Sequence, residues 1–275
     1  MDVSGLTAIE QTALLTEYCR AVDARSPRPI LADPVAHATV SRIDFDFASL
    51  GATPSVVALV ALRAKMLDER IAAFVAEHPA GVIVDIGAGL SSAVFRVDPP
   101  ATAQWFSVDL PAMIALREAV LPPRAGARSV AATVLEPTWA DAIPADRPVM
   151  VFADGLFAFL DEDAVIATLR TITDHFGSGV IAFNDYGRVS KANQFLGRLT
   201  TSGQSNSPHR QWNFPGFKDA RQPETWDRKL HLLEEASAMH RPEAALFPRG
   251  LRIAGRLAHR IPAVARKARI LQYRF

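Results

Sequence analysis

Two glycines and an aspartate carry the first chemical signal. Residues 82–92 read VIVDIGAGLSS, a short apolar run that stops at Gly87-Ala88-Gly89 and leads into a helical pattern. Asp109 closes a second apolar run, AQWFSVDL, 22 residues after Gly87. In an open α/β sheet, ligands bind outside the carboxyl ends of the strands, where a glycine turn lets them approach the backbone. An acidic residue at the end of the next strand can accept both ribose hydroxyls. Three readings fit. A dinucleotide fold wants a third glycine at position 92, which is Ser92. An adenosylmethionine site has no pyrophosphate to cradle, and a large helical segment before the first strand suits it better. The plainest reading is a turn that joins strand to helix.

Other residues could serve an acceptor. Among seven histidines, His209 in SNSPHRQWNF is the best candidate for a general base. Tyr18, Tyr186, Arg210 and Trp212 could line an acceptor pocket, although core packing explains most aromatics equally well. Asp44 and Asp46 in RIDFDF lack companion ligands for a metal and read as surface or capping residues. No metal site is expected.

These side chains need a scaffold. The first 80 residues read as helical, with AIEQTALLTEYCRAV, a helix over 34–43, and one amphipathic helix over 55–77. The rhythm then changes to short apolar runs: GVIVDIGAG, AQWFSVDL, ARSVAATVL, PVMVFADG and GVIAFNDY. Helical patterns such as PAMIALREAVL and EDAVIATLRTITDHF separate several of them. Alternating buried strands and helices predict a parallel sheet covered on both faces. From 187 to 217 the pattern weakens into an expected lid. RKLHLLEEA predicts a sixth strand, GLRIAGRLAHRIPAVARKA one basic helix, and RILQYRF a final strand suited to antiparallel insertion.

Composition narrows the class. Lysine plus arginine number 30 against 29 acidic residues, which gives no support to a nucleic-acid binder. The stretch 249–275 nevertheless holds eight basic residues and no acidic one. It could touch phosphates or lipid, or form a solvated face. The single cysteine, Cys19, excludes an intrachain disulfide and fits a reducing cytoplasm. Neither a signal peptide nor a membrane span is read in the chain. The expected partner is a small molecule in the cytoplasm; the oligomeric state is not legible.

Several ordered motifs resemble the leucine carboxyl methyltransferase superfamily, in its bacterial branch of tetracenomycin-type polyketide O-methyltransferases. They are QTALLTEYCRAVDARSPRPILADPVA, VALRAKMLDERIAAFVAEHP, VDIGAGL, WFSVDLPAMIALR, SVAATVLEPTW, VFADGLFAFLDEDAV and LAHRIPAVARKARILQYRF. The resemblance covers almost the whole chain. It implies a class I (Rossmann-like) methyltransferase fold, an α/β seven-stranded sheet at 81–275 behind a helical cap at 1–80, with S-adenosylmethionine as cofactor. By the same resemblance Arg63 pairs with the methionine carboxylate, Gly87 lies under the cofactor with Ala88 and Gly89, and Asp109 binds ribose beside Leu110. Thr133, Val134 and Leu135 fall where the family contacts adenine. Asp154 matches an acidic position near the methionine amino group, and Arg20 a basic residue of the cap. Departures stand at Ser91, where an aspartate is common, at Ala93, where an arginine is common, at Asp154 for glutamate and at Phe159 for tyrosine. The implied activity is methyl transfer to an oxygen of a small, polyketide-like acceptor. The alternatives are a non-methylating enzyme of the same fold and a protein carboxyl methyltransferase.

Overall fold

In the computed structural model, residues 3, 5–187, 212–258 and 261–275 are described. Three helices come first: α1 (Gln11–Ala24), α2 (Pro34–Val40) and α3 (Pro54–Glu77). Pro34 and Pro54 open their helices, where a missing N–H costs nothing. The side chains of Asp33 and Thr53 cap them by accepting from Ala36 N–H and Val56 N–H. The expected helix over 34–43 stops at Val40. Ile43 is drawn into the apolar cluster of the cap, and Arg42 turns to the carbonyl of Val120, 2.8 Å away.

The strands are β1 (Val82–Ile86), β2 (Gln104–Asp109), β3 (Ala127–Ala131), β4 (Val149–Ala153), β5 (Gly179–Asp185), β6 (His231–Ser237) and β7 (Arg269–Arg274). They form one sheet in the order β3-β2-β1-β4-β5-β7-β6. The first five pair in parallel, while β7 runs antiparallel between β5 and β6. This is the seven-stranded arrangement the resemblance implied, with the final strand inserted as expected.

Alternation along the buried strands divides the core in two. Val82, Val84, Ile86, Val149 and Val151 face one cluster with Leu169 and Ile172 of α6 (Glu162–His175). Ile83, Met150 and Phe152 face the other, against Leu62, Met66, Leu67 and Ile71 of α3. Helix α3 is thus a layer of the sheet's own core. Helices α1 and α2 form a third cluster with Leu90, Met113, Leu116 and Val120, above the turn after β1 and against α5 (Pro111–Val120). Helix α4 (Ala93–Val97) follows that turn, and α7 (Gln222–Trp226) precedes β6.

The basic helix expected as one piece is two: α8 (Arg249–Ala258) and α9 (Pro262–Ala265). Pro262 opens α9 because it cannot donate to a continuing helix. Among the described residues no helix is long and apolar enough to cross a membrane.

Candidate active site

Strand order reverses between β1 and β4, and the side chains with chemistry gather at their carboxyl ends. Gly87 turns the chain at φ +66°, and a Cβ there would stand 2.9 Å from the side chain of Leu156. Gly87 N–H and Ala88 N–H both donate to the carbonyl of Val108. From α5, buried Arg117 donates to the carbonyls of Gly89 and Ser91 at 3.2 and 2.6 Å. The turn is therefore pinned on both sides.

Asp109 ends β2 beside it. One carboxylate oxygen accepts from Gly89 N–H at 2.6 Å, and the other from Leu110 N–H at 2.7 Å. Each oxygen keeps a lone pair, so a vicinal diol can be accepted without breaking either bond. Burial raises the Asp109 carboxyl, offset by those two N–H groups. Residue 132 donates its N–H to the Asp109 carbonyl. That contact sets Thr133 and buried Val134 at the adjoining edge, while Leu135 is largely exposed.

A charge cluster closes the other side. Arg63 of α3 brings Nε to 2.7 Å from Asp154 Oδ1 at the end of β4. Arg20 of α1 lies 3.8 Å from the other oxygen of Asp154 and pairs with Glu17 at 2.7 Å. Arg63 also donates to the Tyr186 hydroxyl. Two guanidinium groups and two carboxylates, interleaved and mostly buried, suit an amino-acid zwitterion. Oxygens without a hydrogen-bond donor remain on Glu17 and Asp85, while Asp154 Oδ1 is occupied by the Arg63 ion pair.

Asp85 is the residue that reading the sequence missed. It sits inside β1 within the run VIVDI, 1% exposed, and both of its oxygens lack partners. Its carboxyl is pushed up to about 7. Burial drives the rise, Arg117 and the nearby Ser91 hydroxyl offset part of it, and Asp154 and Asp109 add to it. A lone carboxylate in an otherwise apolar strand was the available signal.

The structure brings Arg63, Arg20 and Asp154 together at the end of β4, and the Gly87–Gly89 turn and Asp109 together at the ends of the neighbouring β1 and β2. Tyr186 stacks on Trp212 with centroids 4.4 Å apart and shares a small aromatic recess with Phe157, Asn184 and Phe214. Tyr18 belongs to a different group, stacked on Phe47 in the cap. His209 and Arg210 lie outside the described residues. Asp46 caps a 3₁₀ turn by accepting from Ala48 N–H.

Next to the departures at Ser91 and Ala93 stands a local ion network. Ser92 donates to buried Asp33, and Arg96 binds Asp33 at 2.6 Å and Asp68 at 2.7 Å. Burial alone would raise Asp33, but Arg96, Arg20 and the Ser92 hydroxyl hold it below the usual carboxylate range. A second buried ion network thereby joins α2, α3 and α4.

The family model for leucine carboxyl methyltransferase matches residues 13–173. The tetracenomycin polyketide synthesis O-methyltransferase of Streptomyces glaucescens is 38% identical over 179 residues, 65% of this chain and 66% of that one. The S-adenosyl-L-methionine-dependent methyltransferase dpfgK of Gibberella zeae is 32% identical over 204 residues, 67% and 68% of the two chains. The matched stretch spans about two thirds of these relatives. A solved candidate methyltransferase from Thermobifida fusca superposes with a TM-score of 0.54 over 93% of both chains at 16% identity, a likeness of fold.

Proposed function

Because this chain belongs to the leucine carboxyl methyltransferase family and has the class I methyltransferase sheet, we propose that it is an S-adenosylmethionine-dependent O-methyltransferase of a small acceptor. One observation carries the reading: the end of β2 presents a diol-accepting carboxylate, and the end of β4 a zwitterion-matched cluster, on either side of a pinned glycine turn. Buried carboxylate oxygens without donors fit a ligand that brings an ammonium group.

The bound cofactor would supply an activated methyl on a sulfonium. The chain's own residues bind and orient. Arg63 and Arg20 would hold the cofactor carboxylate, Asp154 its amino group and Asp109 its ribose, with Ala88, Gly89 and Leu110 beside them. Residues 133–135 would flank adenine. Tyr186 and Trp212 would offer a flat apolar face to the acceptor and exclude water from it. A carboxylate acceptor is already ionised and needs no base; a phenol would draw on His209, with Arg210 nearby in sequence. The polyketide-like class of acceptor is carried over from the Streptomyces glaucescens relative. A cytoplasmic setting fits the buried, unpaired Cys19.

Calorimetry with the cofactor or its demethylated product tests the first half. Arg63→Ala and Asp109→Ala should each weaken binding at least tenfold, because each removes a charge-assisted bond of about 1.5–3 kcal/mol. Folded protein that binds neither ligand would overturn the assignment. Mass spectrometry for one added methyl on aromatic acids and phenols tests the second half.

A further inference from the structure

Residues 249–275 hold eight lysines and arginines and no carboxylate side chain. On α8, Leu251 and Gly255 turn inward while Arg249, Arg252, Ile253 and Arg256 are exposed. At 100° per residue those four side chains share one outer arc. Among the described residues no carboxylate pairs with the three arginines. The carboxylates of adjoining segments are taken: Glu243 by Lys65 and Glu235 by Arg269. Ile253 is 57% exposed, and Ile261 and Leu246 flank it at 44% and 37%. Three of the seven large apolar side chains left exposed among the described residues are thus on this short stretch.

Its position gives the surface meaning. Helix α9 leads into Arg266, whose carbonyl oxygen would lie 2.2 Å from a Cβ on Gly187. Gly187 follows Tyr186 at the carboxyl end of β5. The basic segment thus reaches, at Arg266, the carboxyl end of β5, where Tyr186 stands.

We propose that this face docks on an anionic lipid bilayer and holds the enzyme at the membrane surface. Basic residues near an anionic leaflet each strengthen binding by roughly fivefold. Aliphatic side chains standing among arginines match the boundary between headgroups and acyl chains. An acidic protein would account for the arginines but not for three bare aliphatics. A nucleic acid would find no exposed aromatic among the described residues of this face to stack on. With so few anchors, docking would be reversible and salt-sensitive.

Vesicle flotation of the full chain tests this independently of methyl transfer. Phosphatidylcholine vesicles with about one third phosphatidylglycerol, at about 0.05 M salt, should carry the protein, and neutral vesicles should not. Arg252→Glu with Arg256→Glu should lower the partition about twentyfold or more. Ile253→Ser with Ile261→Ser should lower it severalfold with the melting curve unchanged. Absence of flotation on the anionic vesicles would overturn the proposal. So would binding that falls with the arginine pair yet ignores the isoleucine pair, the signature of a purely electrostatic surface for an acidic protein. Cofactor calorimetry on the same variants should be unaltered, which separates this test from that of the active site.

Discussion

Replacing Asp85 by Asn should stabilise the ligand-free chain, and the size of the gain should depend on pH in a defined way. The Asp85 carboxyl rises from its ordinary 3.8 to about 7 on folding. That is about three units, and at roughly 1.36 kcal/mol each the folded chain carries about 4 kcal/mol of penalty when Asp85 is ionised. The sign follows from proton counting. Between about pH 4 and pH 7 the folded state holds a proton that the unfolded chain has released, so the stability contribution falls as pH rises. Below that window both states are protonated and the penalty vanishes; above it the penalty is full and constant. Asn has the same shape and no charge. Urea unfolding of both proteins from pH 4 to pH 9 should give a difference near zero at pH 4, growing to a plateau of about 4 kcal/mol above pH 7. Shifts shared by both proteins at sites uncoupled from Asp85, such as that of Asp185, cancel in the subtraction. A flat difference, or an Asn variant less stable at pH 8, would refute the reasoning and show that Asp85 is ionised and held by Arg117.

Three more outcomes follow from the same structure. Cofactor affinity should fall below about pH 7, by at most tenfold per unit, because a proton taken up by Asp85 removes a negative charge from beside Asp154 and Asp109; calorimetry in two buffers of different ionisation heat should register proton release that Asp85→Asn abolishes. Gly87→Ala should cost roughly 2–4 kcal/mol, since it sets a Cβ at positive φ against Leu156, and chemical denaturation measures it. Arg269→Met should cost about 3–5 kcal/mol near neutral pH, because it leaves Asp185 buried without its cation. That loss should shrink toward acid pH as Asp185 takes up a proton.

Local rhythm in the sequence is enough to find the strands and the long helices, since period and apolar run length are properties of neighbours along the chain. The Gly87 turn and Asp109 are legible for the same reason: both stand at strand ends. Asp85 escapes because its peculiarity is burial in three dimensions, and in one dimension it is a single polar letter among valines and isoleucines. Arg96 and Asp33 are 63 positions apart and meet only through the packing of α2 on α4. Arg269 reads as the start of a strand; its burial against Asp185 depends on a register that no local pattern encodes. Pro262 was visible, yet its power to divide a basic helix was outweighed by the continuous pattern around it.

The Asp185–Arg269 pair has a bearing on how such a molecule can change. Asp185 accepts from Phe217 N–H, and Arg269 donates to the Phe217 carbonyl at 2.8 Å. Gly216, at φ +83°, fits only because it lacks the Cβ that would stand 2.5 Å from the Gly187 carbonyl oxygen. The chain therefore leaves the sheet at Gly187 and returns to the same spot at Gly216, secured by a fixture built from β5 and β7. Residues 187 and 216 are in that sense one joint: a side chain added at either would press on the backbone of a neighbouring segment, and the β5 and β7 side chains that hold the joint would feel both changes.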